Sequence, residues 1–133
     1  MAAITHADVL AGVGRALSAY TQALDDGRTD DVVATFCADG SVEIPGLGTH
    51  EGHDALRRAY AGWTPRRPQR HVVVNTLVTD WDDGQAQVSS DVLFLLQGKD
   101  GWAVRMVGRY QDVLHREDDG AWRFHRRTAE FVP

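Results

Sequence analysis

The amino-acid sequence predicts a single α+β domain over residues 1–133, with three helices followed by a long antiparallel β-meander. In the first half, apolar residues recur at steps of three and four, which is typical of helices with one buried face. In the second half, long segments rich in Val and Thr are separated by Asp-Gly pairs, which favour tight turns between antiparallel strands. A chain of 133 residues is long enough to form one domain around one core.

The first two helices are predicted from apolar spacing and from residues that begin and end helices. The first helix carries its apolar face at Leu10, Val13, Leu17, Tyr20 and Leu24. Gly27 is expected to cap the C-terminus of this helix. Thr29 is expected to cap the second helix, which would carry Phe36 inward and end at Gly40. Both helices would therefore bury one apolar face.

The remaining elements are a short strand, a third helix and the meander. The short strand Val42–Ile44 leads into a turn at Pro45–Gly48, and the third helix begins near Asp54 and ends before Pro65. The four strands of the meander are predicted at His71–Trp81, Gln85–Gln97, Trp102–Arg116 and Ala121–Val132. An antiparallel sheet with its helices gathered on one face is the expected architecture.

Composition and charge exclude several classes of function. The formal net charge of -5 argues against nucleic acid as a partner. No apolar run approaches the roughly 20 residues that span a bilayer, so no membrane association is expected. The single cysteine, Cys37, excludes an intrachain disulfide and fits a cytoplasmic location. We expect Cys37 to be a buried core residue beside Phe36 and not a nucleophile.

The sequence contains no recognisable motif for a metal or a cofactor. His50 and His53 flank Glu51-Gly52, a spacing that differs from the His-Glu-x-x-His zinc motif. His115 and His125 are expected at the surface. A glycine-rich phosphate loop and a Gly-x-Ser-x-Gly nucleophile elbow are also missing from the sequence. We therefore predict that the protein uses neither a metal nor a cofactor.

Five segments, taken in order, resemble one known family. They are Tyr20–Asp25, Phe36–Gly40, His71 with Asn75, Gly108–Asp112 and Gly120–Arg127. Together with the order of helices and strands, they resemble the SnoaL-like branch of the nuclear transport factor 2-like superfamily, over nearly the whole chain. The resemblance implies a cone-shaped α+β barrel, in which a curved antiparallel sheet wraps around the three helices and encloses a pocket.

The resemblance implies several alternative activities, because this fold carries many functions. The similar enzymes include scytalone dehydratase, bile-acid dehydratase and lindane dehydrochlorinase, as well as polyketide cyclases and steroid isomerases. The superfamily also includes non-catalytic binding proteins and the mainly structural β-subunits of ring-hydroxylating dioxygenases. Asp25 and His71 match the positions of the Asp–His pair in the dehydratase and dehydrochlorinase members. Tyr20 matches a tyrosine of some dehydratases, and Arg127 falls where several such enzymes carry an arginine.

The residues around Asp25 and His71 admit two interpretations. Asp25 lies at the C-terminal end of a helix, where the dipole disfavours a carboxylate, and such a local conflict often marks a functional site. Otherwise Asp25 is one of two exposed acids that end the helix. His71 shares one strand face with Val73 and Asn75. If that face lines the pocket, Asp25 would fix the imidazole tautomer and leave the second nitrogen as a base; otherwise His71 is a surface residue.

A set of substrate-binding candidates surrounds this pair, and it comprises Tyr20, Asn75, Val92, Phe94, Met106, Tyr110, Arg126 and Arg127. Arg126 and Arg127 face opposite sides of the last strand, and a β-bulge would exchange them, so the sequence leaves open which one faces the pocket. An inward arginine would bind an oxygen that gains negative charge, whereas a solvated one would not. Tyr20 would donate a hydrogen bond to a carbonyl or pack in the core with a polar tip.

These residues predict a cofactor-independent acid/base enzyme of the dehydratase or lyase type for a small apolar oxygenated molecule, such as a polyketide or steroid-like metabolite. His71 would abstract a proton next to a carbonyl, and Asp25 would orient the imidazole. A cyclase or isomerase would use the same first step, and a non-catalytic binding or structural subunit is the alternative from another class. The sheet face that the helices leave uncovered predicts a homodimer with an interface above about 1,000 Å².

Overall fold

The structure, a computed structural model, describes residues 3–133. Its helices are α1 (His6–Asp25), α2 (Thr29–Ala34) and α3 (His53–Ala61). Its strands are β1 (Phe36–Ile44), β2 (Gly48–Glu51), β3 (Gln69–Trp81), β4 (Gln85–Gly98), β5 (Gly101–Arg116) and β6 (Trp122–Phe131). The predicted α+β class and the order of three helices and a long meander are confirmed.

The six strands form one curved sheet in the order β2-β1-β6-β5-β4-β3. The meander β3 to β6 is antiparallel throughout, as predicted, whereas β1 runs parallel to β6, so the sheet is mixed. The sheet does not close into a barrel, because β2 and β3 lie at its two edges. This parallel pairing places β1, the first strand of the chain, inside the sheet and beside β6, the last strand.

Helix α1 packs its long apolar face against the concave side of the sheet. Thr5 caps its N-terminus: the Thr5 side chain accepts a hydrogen bond from the backbone N–H of Asp8, and the Asp8 carboxylate accepts one from Thr5. Buried residues follow at helical spacing, and they are Val9, Val13, Ala16, Leu17, Tyr20, Ala23 and Leu24. These side chains pack against α1's neighbours β3 and β6 and form most of one continuous core.

The predicted second helix is too long, and the predicted strand after it is too short. Helix α2 ends at Ala34, and Phe36–Gly40 belongs to β1. The backbone carbonyl of Thr35 accepts a hydrogen bond from Phe124, and Phe36 pairs with the same residue of β6. Phe36 is buried as expected, but its position is set by pairing with a strand that lies far away in sequence. This tertiary contact outweighs the local helical pattern.

Within residues 3–133, none of the helices combines the length and the apolar character needed to cross a membrane.

Candidate functional site

An apolar cavity of about 320 Å³ lies between the helices and the concave face of the sheet. Most of the lining is aliphatic or aromatic, and the lining residues are Tyr20, Leu24, Ile44, Leu47, Tyr60, Trp63, Gln69, His71, Val92, Phe94, Met106, Gly108, Tyr110, Ala129, Glu130 and Phe131. Alternation along β3, β4 and β5 places every second residue on this face. Cavities of this size and character accommodate small, largely apolar ligands.

Asp25 lies at the last position of α1 and turns its carboxylate toward β3. The side chain is 4% exposed, so its charge needs partners. Oδ2 accepts the backbone N–H of His71 at 2.8 Å, and Oδ1 accepts the side-chain amide of Gln69 at 3.1 Å. These bonds fix the carboxylate at the start of β3 and compensate the unfavourable end of the helix dipole.

His71 completes the pair and lines the cavity. Its Nδ1 lies 2.7 Å from Oδ1 of Asp25, within the distance of a charge-assisted hydrogen bond. Because the carboxylate only accepts, Nδ1 carries the proton and Nε2 is the free nitrogen of the neutral ring. The ring also packs on Phe94, with centroids 4.8 Å apart, and its side chain is 14% exposed. The imidazole is thus held on two sides and remains accessible from the cavity.

Three buried tyrosines supply further polar groups of the cavity. The hydroxyls of Tyr20 and Tyr60 are hydrogen-bonded to each other, and Tyr110 packs edge-on against Tyr20. Burial raises the pKa of all three phenols above the ordinary value. They therefore stay protonated across the physiological range and act as hydrogen-bond donors, not as bases.

Arg127 is buried and does not line the cavity. Its guanidinium forms two hydrogen bonds to Asp112, at 2.9 and 3.0 Å, and both side chains are 0% exposed. The guanidinium also lies over the rings of Tyr20, Tyr110 and Phe124. Burial alone would lower the pKa of Arg127, but the Asp112 carboxylate raises it above the usual value. Arg127 therefore carries a permanent charge immediately behind two of the lining tyrosines.

A β-bulge decides which arginine faces inward. His125 is the additional residue of β6: Phe124 pairs with Leu114, and Arg126 pairs with the next residue, Val113. The bulge shifts the alternation by one, so that Arg127 joins the buried side with Phe124, and Arg126 is exposed. The alternation read directly from the sequence would have separated Arg127 from Phe124.

Five of the candidate substrate-binding residues line the cavity, namely Tyr20, Val92, Phe94, Met106 and Tyr110. Asn75 does not. Its backbone φ is 54°, and the pairing of β3 with β4 shifts register between Val74 and Leu77. The strand irregularity turns the Asn75 side chain to solvent, where it donates a hydrogen bond to Asp91. The predicted common face of His71 and Asn75 is therefore wrong.

Tyr60, Trp63 and Gln69 are among the lining residues that sequence reasoning did not propose for the site. Gln69 lies outside the predicted strand His71–Trp81, but β3 begins two residues before His71, and both side chains face the cavity. Extending the period of two backwards from His71 would have found it. Tyr60 lies on α3, and its hydrogen bond to Tyr20 joins residues 40 positions apart, which no local pattern predicts. Trp63 follows α3 and carries no periodic signal.

The fold and site define the class of protein, and comparison with known proteins identifies the family. The profile of the SnoaL-like domain matches residues 6–128. The chain therefore belongs to the SnoaL-like domain family, as its sequence motifs predict. Among curated proteins, no significant match to the chain is found.

Solved structures share this fold. A protein of Catenulispora acidiphila in complex with S-DNPA is 26% identical, with a TM-score of 0.84 over 95% of each chain. A candidate scytalone dehydratase of Novosphingobium aromaticivorans is 24% identical, with a TM-score of 0.81 over 93% of this chain and 84% of that one. The β subunit of a candidate aromatic-ring-hydroxylating dioxygenase from the same organism is 19% identical, with a TM-score of 0.81 over 97% and 93%.

Proposed function

We propose that the protein is a cofactor-independent acid/base enzyme, in which His71 abstracts a proton next to a carbonyl and Asp25 orients the imidazole. The observation that carries the proposal is the 2.7 Å contact between Nδ1 of His71 and Oδ1 of Asp25 at the wall of an apolar cavity. A neutral imidazole with one nitrogen fixed by a carboxylate presents the other nitrogen as a proton acceptor. The carboxylate then stabilises the imidazolium that forms.

The proposed reaction is an elimination of the dehydratase or lyase type. Nε2 of His71 takes the proton from the carbon next to the carbonyl, and the electron pair of that C–H bond moves onto the carbonyl oxygen. The enolate then reforms the carbonyl and expels a hydroxyl group from the neighbouring carbon, which leaves as water with the proton from His71. A polyketide cyclase or an isomerase would share the first step and differ in what the enolate attacks or where it is reprotonated.

The hydroxyl pair of Tyr20 and Tyr60 is the proposed partner of the developing oxyanion. Both phenols remain protonated because burial raises the pKa of each. A donor in a dry cavity is worth more than in water, since no solvent competes for the oxygen that gains charge. Arg127, whose guanidinium lies 4.3 Å from the centre of the Tyr20 ring, adds positive potential behind this pair.

The proposed substrate is a small, largely apolar molecule that carries a carbonyl and a leaving group, such as a polyketide or steroid-like metabolite. The apolar lining of the cavity supports this class, and so does the S-DNPA complex of the Catenulispora acidiphila relative, which has a small ligand bound. An uncharged ligand is expected, because the described lining carries few ionisable groups besides His71 and the exposed Glu130.

The proposal is tested by a hydrogen-exchange screen, which needs no knowledge of the product. Small cyclic and polycyclic carbonyl compounds are incubated with the protein in D₂O, and deuterium uptake next to the carbonyl is followed by mass spectrometry. The wild type is expected to accelerate uptake for a subset of compounds, and His71→Ala to lose this acceleration. The matched control is His6→Ala, because His6 stacks on Trp81 away from the cavity. Exchange that His71→Ala leaves unchanged would contradict the proposal.

We also propose that the chain forms a homodimer through the outer face of the sheet. Apolar side chains are exposed on β3 and β5, among them Val72, Val74, Trp102, Val104 and Val107. Contiguous apolar surface of this kind is typical of association sites. Light scattering at micromolar concentration is expected to give the mass of two chains. A non-catalytic subunit, comparable to a dioxygenase β subunit, would instead require this face for a different chain, and a monomeric mass would favour that alternative.

A further inference from the structure

We propose that Cys37, His115 and His125 form a binding site for Zn²⁺ or a similar borderline-soft divalent cation. Their ligand atoms, one sulfur and two ring nitrogens, all lie within 4.8 Å of one another. None of the three residues lines the cavity, so this site is separate from the proposed active site. Thiolate and imidazole are the ligands that zinc prefers in proteins.

The cluster is assembled by two irregularities of the sheet. Between Phe36 and Ser41, β1 loses its pairing with β6, and this segment carries Cys37. His125 is the additional residue of the β6 bulge, and His115 lies on the neighbouring strand β5. The two imidazoles stack with centroids 4.2 Å apart and planes 11° apart. Cys37 is thereby brought to two histidines that lie 78 and 88 positions later in the sequence, at the junction of three strands. Bulges are frequent beside functional sites.

The polar groups of the cluster lack strong partners. Nδ1 of His125 is buried and makes no hydrogen bond among the described residues, and a carboxylate oxygen of Asp39 lies 3.7 Å away. The Cys37 sulfur makes one weak contact, 3.6 Å from the backbone carbonyl of Arg123. A buried nitrogen without a partner is costly. A cation bound between the three side chains would give each of them a strong interaction.

The surroundings favour a cation. The carboxylates of Asp39 and Glu117 add negative potential at Cys37. The nearest guanidinium, Arg123, is paired with Glu117 and Asp119. Binding of Zn²⁺ would release the thiol proton to solvent and leave a thiolate on the metal.

A modest side-chain movement completes the geometry. Tetrahedral zinc with Zn–N of about 2.0 Å and Zn–S of about 2.3 Å brings its ligand atoms to roughly 3.3–3.6 Å from one another. Rotation of the two imidazoles out of their stack would close the remaining distance, which is at most about 1.5 Å. The three protein ligands leave a fourth position for water. The bound ion would join β1, β5 and β6 where the bulges interrupt their hydrogen bonds.

The test measures metal binding and not activity. Chelator-treated protein is titrated with Zn²⁺ against a chromophoric competitor, and with Co²⁺, whose near-ultraviolet charge-transfer absorption reports a thiolate ligand. We expect one ion per chain, with that absorption present. We expect Cys37→Ser to lose the absorption, and His115→Gln and His125→Gln each to weaken Zn²⁺ binding by at least roughly tenfold. His6→Gln, a surface histidine outside the cluster, should leave binding unchanged.

The two histidine variants keep the test decisive if Cys37→Ser folds poorly, because both histidines are partly exposed. Circular dichroism establishes which variants are folded. Zn²⁺ should also raise the melting temperature of the wild type but not that of His125→Gln. The proposal is overturned if no saturable binding is found, if the cobalt spectrum lacks the thiolate absorption, or if binding persists unchanged in the folded histidine variants.

Discussion

Two aspartates of this domain each hold a basic side chain, and the surroundings of the two pairs differ. Asp112 and Arg127 are both 0% exposed and are enclosed by aromatic rings. Asp25 is equally well bonded, but its partner His71 is 14% exposed and lies at the cavity wall. The first pair is inaccessible to a ligand, whereas His71 of the second pair is accessible from the cavity. We expect the first pair to stabilise the fold, and the proposed function assigns the chemistry to the second.

Breaking the enclosed pair is expected to have the largest effect on stability. Asp112→Ala leaves the Arg127 guanidinium buried without its carboxylate, and such changes cost about 3–5 kcal/mol. Urea unfolding followed by circular dichroism measures the loss. Asp91→Ala is the matched control, because Asp91 pairs with Arg109 at the surface and its removal should change the midpoint far less. Similar midpoints for the two variants would show that the enclosed pair is not a stabilising element.

Replacing both members of the enclosed pair should restore much of that stability. In the variant Asp112→Leu with Arg127→Met, no charge remains buried, and the new side chains can pack among the surrounding rings. We expect the double variant to be more stable than Asp112→Ala by at least about 1 kcal/mol, measured in the same urea titration. A double variant less stable than the single one would mean that the guanidinium contributes mainly through its contacts with the rings of Tyr20 and Tyr110.

The cavity pair should contribute less to stability. Asp25→Asn keeps the shape and one acceptor oxygen, so the backbone N–H of His71 can remain bonded. Rearranging the bonds to Gln69 and to the imidazole is expected to cost about 1–2 kcal/mol in the free energy of unfolding. Thermal and urea unfolding check this value. A loss as large as that of Asp112→Ala would make Asp25 a structural residue and remove the contrast between the pairs.

The smallest expected effect is on the pH dependence of stability, through the surface pair of Asp91 and Arg109. Hydrogen bonds from Asn75 and Arg109 lower the pKa of Asp91 below its ordinary value. The folded state therefore binds this proton less readily than the unfolded state, so the contribution is present above the unfolded pKa and is lost as the pH falls through the folded one. In Asp91→Asn, the stability should consequently fall slightly less steeply below about pH 4. Urea midpoints measured between acidic and neutral pH test this, and an unchanged slope would contradict it.

Much of the fold could be predicted because its signals are local. The face of α1 from Val13 to Leu24 and the three Asp-Gly turns of the meander follow from spacing and turn chemistry, and both appear in the structure. The prediction of Leu10 on this face is wrong, because Leu10 is exposed and Val9 is buried in its place. The end of α2 could not be predicted, since Phe36 enters a strand only through its pairing with Phe124 of β6. The parallel pairing of β1 with β6 likewise depends on contacts between distant parts of the chain.

For the functional site, too, some features could be predicted from the sequence and others depend on irregularities that only the structure shows. The proximity of Asp25 and His71 was predicted from motif positions, and the structure brings their side chains to 2.7 Å. The inward arginine could not be predicted, because the bulge at His125 exchanges the faces of Arg126 and Arg127. In β3, the positive φ of Asn75 likewise turns its side chain away from the face that simple alternation assigns to it. One irregular residue in a strand is enough to reverse every later assignment based on alternation.

The most direct test of the account is a double-mutant cycle on the cavity pair. With a compound found by the exchange screen, rates of deuterium uptake are measured for the wild type, His71→Ala, Asp25→Asn and the double variant. General-base catalysis contributes about 10²–10⁴-fold, and we expect His71→Ala to lose this factor. Asp25→Asn should lose a large part of it, and the double variant should lose far less than the product of the two, because the residues act as one unit. Folded variants that exchange at the wild-type rate would contradict the account.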